Sequence, residues 1–131
     1  MLRVTLAAVF ATLFVVPASA APLATGFRVS TAVACVLDRS AVRCDVHGTL
    51  SPAPTAVCAS RWRGVSLRST GRAQLVCDRT TVFSTRLPLV ASGSSYAFPG
   101  GVTCTVKAGG VTCANAAGHG FTLTPTRWTR R

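Results

Sequence analysis

Two matching stretches decide the fold of this chain: Val33-Ala34-Cys35-Val36-Leu37-Asp38-Arg39-Ser40-Ala41-Val42-Arg43-Cys44 and Val102-Thr103-Cys104-Thr105-Val106-Lys107-Ala108-Gly109-Gly110-Val111-Thr112-Cys113. In each stretch eight residues separate the two cysteines, and a valine stands two positions before each cysteine. This spacing sets the two cysteines of a stretch directly opposite each other if the chain folds back as a hairpin. Turn-forming residues at 38–40 and 108–110 favour such a hairpin in both stretches.

The hairpin register also sorts the other side chains by polarity. In the first hairpin the residues that share the face of the cysteines are apolar, namely Val33, Leu37, Val42 and Val46. In the second, Val102, Val106 and Val111 lie on the cysteine face, and Thr103, Thr105, Lys107 and Thr112 lie on the other. Alternation with a period of two is typical of strands, and a slip of one residue would mix the two sets. The sequence therefore predicts two hairpins bridged by the disulfides Cys35–Cys44 and Cys104–Cys113.

The third pair of cysteines is assigned by elimination. An even count of six cysteines in a short chain favours three disulfides if the chain is exported, and Cys58 is then left with Cys77. A hairpin turning at 69–72 would instead place Cys77 opposite Arg63, so strand register alone does not pair Cys77 with Cys58. A metal site built from Cys113 and His119 is disfavoured because the chain has no C-x-x-C pair and no zinc-binding spacing, so no metal or other cofactor is predicted.

The rest of the chain is also strand-like. Short apolar or alternating segments, separated by Gly, Pro and Ser clusters, predict strands at 27–29, 65–67, 73–77, 81–89 and 119–123. No window after residue 20 has a sustained helical period of apolar residues. We expect an all-β domain, a small disulfide-stabilised sandwich or barrel-like fold of short antiparallel strands and hairpins.

The first twenty residues differ from the remainder. Arg3 is followed by an apolar run at 6–16, then by Pro17 and the small residues 18–20. This order is typical of a secretory signal peptide. The sequence thus predicts a signal peptide at 1–20 and a single disulfide-rich β domain at 21–131 with no transmembrane segment, secreted or associated with the cell envelope.

Charge and composition restrict the possible functions. The chain has 131 residues with 14 Lys and Arg against three acidic residues, which gives a formal charge of +11, and it contains no Glu. A strong positive field around the molecule is expected. Groups able to transfer protons or attack a substrate are few, and neither G-x-S-x-G nor G-x-x-x-x-G-K is present.

Two Arg-Trp clusters are the candidate binding residues. They are Arg61, Trp62 and Arg63, and Arg127, Trp128, Arg130 and Arg131. Guanidinium groups beside indole rings suit anionic polymers, which they hold by ion pairing and stacking. The favoured hypothesis is a non-enzymatic exported domain that binds an anionic polymer or the envelope surface.

Two alternatives belong to other classes of protein. A small secreted basic hydrolase of the nuclease type would use His47 and His119 with Lys107 as a cation. An effector or inhibitor would dock a rigid disulfide-bridged hairpin onto a partner protein. For both histidines, a structural role fits the sequence better than a catalytic one.

Several segments together carry a wider resemblance. They are Phe27, Val42-Arg43-Cys44-Asp45, Cys58 with Trp62, Gly71-Arg72-Ala73-Gln74-Leu75-Val76-Cys77-Asp78, Gly110-Val111-Thr112-Cys113-Ala114-Asn115 and Gly118-His119-Gly120-Phe121. This set resembles a family of small exported, six-cysteine actinobacterial proteins of unknown function. The resemblance implies an exported, cysteine-bridged and β-rich protein, and it brings no activity, substrate or catalytic residue.

Overall fold

The computed structural model describes residues 25–47, 58 and 62–131, and this part of the chain is all-β. Within it no helix is both long and apolar enough to cross a membrane. The described strands, in chain order, are β1 (Gly26–Val29), β2 (Val33–Asp38), β3 (Ala41–Val46), β4 (Trp62–Arg68), β5 (Gln74–Cys77), β6 (Ser95–Phe98), β7 (Val102–Lys107), β8 (Gly110–Asn115), β9 (Gly120–Leu123) and β10 (Trp128–Arg130).

The strands form two antiparallel sheets of the same design. The first sheet has the order β1-β2-β3-β4-β5, and the second has the order β6-β7-β8-β9-β10. The first three strands of the two sheets match at a constant shift of 69 residues, as seen in Cys35 against Cys104 and Cys44 against Cys113 (104 − 35 and 113 − 44). Each sheet is therefore one five-stranded meander with a disulfide between its second and third strands.

The two sheets pack face to face as a sandwich around one core. Cys35 pairs with Cys44 in the first sheet and Cys104 with Cys113 in the second, and all four residues are fully buried. The Sγ atoms of Cys44 and Cys113 are 3.9 Å apart, so the two disulfides meet between the sheets. Aliphatic and aromatic side chains from both sheets surround this contact, and their alternation along each strand keeps the polar residues outside.

All three predicted disulfides are confirmed. The bonds Cys35–Cys44 and Cys104–Cys113 each span nine residues, and each should stabilise the fold by about 2–3 kcal/mol. Cys58–Cys77 spans 19 residues. Three disulfides are typical of proteins that fold in an oxidising compartment outside the cytoplasm.

The expected register at the third bond is wrong by one residue. Trp62, and not Arg63, lies opposite Cys77, whereas Gly64 lies opposite Val76. A bulge between Trp62 and Gly64 causes the shift, because it inserts one extra residue in β4.

The strand predictions succeed where the apolar residues face the core. Strands at 27–29, 65–67, 73–77 and 119–123 are confirmed as β1, β4, β5 and β9, with small differences at their ends. The strand predicted at 81–89 is wrong, because this segment forms only an isolated bridge between Leu89 and Arg28. The strands β6 and β10 were not predicted; each has only three or four residues. The predicted signal peptide lies outside the described residues.

Candidate functional site

All three acidic side chains of the protein lie around one arginine. Arg43 is only 6 % exposed, and its Nε and Nη2 donate to the two carboxylate oxygens of Asp45 at 2.8 and 2.9 Å. Nη1 donates to Asp78 at 2.9 Å and lies 4.0 Å from a carboxylate oxygen of Asp38. Since the chain has three acidic residues in total, this cluster contains every carboxylate side chain that could neutralise a surface arginine.

The cluster favours the charged forms of Arg43 and Asp78. Burial disfavours the charged form of Arg43, but the hydrogen bonds and charges of Asp45 and Asp78 outweigh it and raise the pKa of the guanidinium. The pKa of the Asp78 carboxyl is lowered by the backbone N–H of Thr80 and by the Arg43 guanidinium. Arg43 and Asp78 are therefore both charged at neutral pH, and the groups hydrogen-bonded here form one ion network.

The same network holds a segment of chain over the outer face of the first sheet. This segment, residues 78–90, is called the strap. Arg43 Nη2 donates to the carbonyl oxygen of Thr80, and Asp45 accepts bonds from the Thr81 hydroxyl and the Val82 backbone N–H, each at 2.8–2.9 Å. The buried ion pair thus supplies donors and acceptors for backbone groups that no strand satisfies.

Two further arginines fix the strap. Arg63 donates through Nε to the carbonyl of Asp78 at 3.1 Å and through Nη2 to that of Arg79 at 2.9 Å. At the far end Arg28 donates through Nε to the carbonyl of Leu87 at 3.0 Å. The strap therefore crosses the first sheet from β5 to β1, held at both ends by guanidinium groups.

A groove of about 280 Å³ remains on the first sheet beside the strap. Its charged lining consists of Asp38, Arg39, Arg43, Arg68 and Asp78. Three arginines and two aspartates line it, so the groove has a net charge of only +1 for attracting an anionic polymer.

The cations outside this cluster have no carboxylate partner among the described residues. Those that form no ion pair there are Arg28, Arg39, Arg63, Arg68, Arg72, Arg79, Arg86, Lys107, Arg127, Arg130 and Arg131. They are distributed over both sheets, the strap and the turns. The protein therefore presents a broad positive field and not a single basic cleft.

The structure brings together the two tryptophans of the predicted binding clusters. The ring centroids of Trp62 and Trp128 are 6.5 Å apart, and both rings pack against the core. The buried Nε1 of Trp62 has no hydrogen-bond partner among the residues that the structure describes. The pair is thus partly a packing contact between β4 and β10, and a role in binding stays a prediction.

The arginines of those clusters have different environments. Arg63 is occupied with the strap, and Arg130 donates to the carbonyl of Ala73 at 3.3 Å. Arg127 and Arg131 are exposed. Arg61, the remaining member of these clusters, lies outside the described residues.

The residues of the hydrolase hypothesis are not brought together. His119 lies in the β8–β9 turn, where Asn115 accepts its backbone N–H and donates to the carbonyl of Arg68. Arg68 pairs with Ala41 at the start of β3, whereas His47 follows the end of β3 and stacks on Phe83. Six residues of extended chain separate the two ends, about 20 Å.

Lys107 lies far from His119 as well. It pairs with Gly110 at the β7–β8 turn, at the opposite end of β8 from Asn115. These placements give no acid, base and cation within reach of one substrate, which proton transfer requires.

Three cysteine sulfurs lie close enough to suggest a metal site. The Sγ atoms of Cys35, Cys44 and Cys113 are all within 4.8 Å of one another. All three are in disulfides, and a metal ligand must be a thiolate. In this oxidation state their proximity is a packing contact.

A row of hydroxyl side chains crosses the outer face of the second sheet. The hydroxyl row consists of Ser95, Thr105, Thr112, Thr122 and Thr129, one from each strand and each opposite the next. The hydroxyl oxygens of Thr112 and Thr122 are 3.0 Å apart, and those of Ser95 and Thr105 are 3.3 Å apart. The threonines of β7 and β8 were visible in the sequence as one polar face, but the row was not, because β6 and β10 were not predicted.

A small pocket lies at one end of the hydroxyl row. It has a volume of about 90 Å³ and is lined by Thr112, Phe121, Thr122, Thr129, Arg130 and Arg131. Arg131 is paired by backbone hydrogen bonds with Gly120 and places its side chain near that glycine.

Comparison of the chain with protein-family models, curated proteins and solved structures finds no match.

Proposed function

We propose that this protein is an exported, non-enzymatic β-sandwich that binds an anionic polymer of the cell envelope through its surface cations. One observation carries the proposal: every acidic side chain is engaged with Arg43, so the described cations elsewhere have no ion-pair partner in the protein. Such a surface attracts polyanions over about a Debye length, roughly 8 Å at physiological ionic strength.

Export is part of the proposal. Its support is the order of charge, apolar run and small residues in the first twenty positions, together with three disulfides. The resemblance to exported actinobacterial proteins is in line with it. The envelope would then be the first polyanionic surface that the protein meets.

The proposal is tested by sedimentation with isolated bacterial cell walls, before and after chemical removal of their anionic polymers. The disulfide-bonded protein should bind intact walls at low salt, leave them as salt is raised, and fail to bind extracted walls. Salt dependence is expected because exposed ion pairs are screened. Equal binding to both wall preparations would contradict the proposal, and so would no binding at low salt.

A further inference from the structure

We infer that the outer face of the second sheet is the binding face, and that its ligand is an acidic polysaccharide with one anionic group seated beside Arg131. The inference rests on the proposed function and names its ligand class and its location. The two sheets, which match strand for strand, use their outer faces differently.

Equivalent positions on the outer faces of the two sheets differ in burial and in chemistry. Thr112 of the hydroxyl row corresponds to Arg43 at the 69-residue shift (112 − 69 = 43). In the first sheet this position carries the buried ion network and lies beneath the strap. In the second sheet the ends of the row, Ser95 and Thr129, are exposed, and its middle is half-exposed.

The chemistry of the open face suits a ligand with hydroxyl and anionic groups. The row presents hydroxyls that donate and accept hydrogen bonds, and it extends over five strands, about 19 Å at the usual strand spacing. Lys107 and Arg131 lie on the same face, and all three Asp residues lie on or beside the first sheet. A polysaccharide can pair its hydroxyls with the row and its charged groups with the cations.

The pocket fits one charged substituent. Its volume of about 90 Å³ is that of roughly three waters. A sulfate, phosphate or carboxylate group of this size would meet the Arg131 guanidinium and the hydroxyls of Thr122 and Thr129. Charge-assisted bonds to arginine are the stronger kind, so this pocket fixes the register of the polymer on the face.

Other polyanions fit this face less well. Binding of single-stranded nucleic acid relies on stacking of bases on aromatic rings, and the described outward-facing residues of the second sheet include none. Attachment to a lipid surface uses exposed apolar side chains. Leu89, the exposed large hydrophobic residue of the described chain, belongs to the strap on the first sheet.

The test measures affinity for two probes, a heparin hexasaccharide and a polyphosphate of similar charge that has no hydroxyl-bearing sugars. The double variant Thr112→Val, Thr122→Val removes both partners of one hydroxyl pair and retains strand-forming shapes, so its melting temperature should be close to that of the parent. It should lose about tenfold in affinity for the hexasaccharide and no more than about twofold for polyphosphate, which meets this hydroxyl pair only where it lines the pocket. The matched control is Thr70→Val, Thr126→Val, at two exposed turn positions, which should leave both affinities unchanged.

The variant Arg131→Gln tests whether the charge of Arg131 contacts the ligand, and Arg86→Gln on the strap is its control. Arg131→Gln should weaken hexasaccharide binding about tenfold, because Arg131 contacts the ligand directly. Arg86→Gln should weaken it by no more than about twofold, because Arg86 contributes only to the positive field around the protein. If all four variants bind both probes alike, the inference is wrong and the proposed function stands. If the parent binds neither probe, the proposed function itself fails. A DNA duplex and anionic vesicles serve as further probes. If the Thr112→Val, Thr122→Val variant loses as much affinity for either of them as for the hexasaccharide, the choice of polysaccharide is also overturned.

Discussion

Arg43 shows how a single residue can organise the charge of a whole protein. Its guanidinium forms ion pairs with all three acidic side chains and donates a hydrogen bond to the strap. The remaining arginines therefore have no carboxylate side chain as a partner within the described chain. Desolvation of a buried ion pair is expensive, and only good geometry with all bonds satisfied offsets it. The bidentate contact with Asp45 and the bond to Asp78 meet that condition.

The carboxylates of this cluster should differ sharply in their contribution to stability. Asp45→Asn removes a fully buried charge that is bonded to Arg43, Thr81 and Val82, and should lower the free energy of unfolding by about 3 kcal/mol or more. Asp38→Asn makes the same chemical change at a side chain that is 48 % exposed and 4.0 Å from the guanidinium, and should cost about 0.5 kcal/mol.

Urea unfolding of the two variants, followed by circular dichroism, measures the difference. Each variant gains the same formal charge, so a general effect of net charge is controlled. Equal destabilisation by the two substitutions would show that the network does not hold the fold as described.

Residue type alone did not reveal what most of the arginines do. Arg63 stands next to Trp62 in a pattern that predicts a polyanion site, yet its donors go to the carbonyls of Asp78 and Arg79. Those carbonyls are 15 and 16 residues away in sequence, and no local pattern marks them as unsatisfied. The sequence therefore predicts which residues carry the charge, but not that Arg63 is engaged within the protein.

At the scale of elements, the two disulfide hairpins were the most predictable part. Cysteine spacing, turn residues and alternating polarity all specify the same register in each, and the observed pairs follow it from Val33 with Val46 to Lys107 with Gly110. The strand predicted at 81–89 is wrong because β-branched and apolar residues such as Thr81, Val82 and Phe83 favour a strand, whereas the backbone there is hydrogen-bonded by side chains distant in sequence.

The three disulfides should differ in their accessibility to reductant. The four cysteines of the two hairpin bonds are fully buried, whereas Cys77 of the third bond is exposed and Cys58 is 8 % exposed. Thiol–disulfide exchange needs a sulfur that the attacking thiolate can reach. Under mild reductant without denaturant, Cys58–Cys77 should open first.

Alkylation of the new thiols and peptide mapping would identify the bond. The folded circular dichroism signal should persist at this stage and be lost only when the hairpin bonds are reduced, since each contributes about 2–3 kcal/mol. Labelling of Cys35 or Cys104 before Cys77 would contradict the packing of the two disulfides in the core.

At the scale of the whole molecule, the repeat explains the fold and its asymmetry suggests the function. Two equivalent meanders pack their cysteine faces together, and this leaves two outer faces. The strap crosses one of them with the acidic cluster beneath it, and the other presents hydroxyls and cations. The repeat was visible in the sequence; the difference between the two faces was not, because it depends on where the 78–90 segment lies.

The most direct test of polyanion binding is a titration of the isotope-labelled, disulfide-bonded protein with a heparin hexasaccharide, followed by amide NMR shifts at low and at physiological salt. The account predicts saturable shifts centred on Thr112, Thr122, Thr129 and Arg131, with an affinity that falls as salt is raised. It would be contradicted if no saturable shift occurred at low salt, or if the shifting amides lay on the strap and the first sheet.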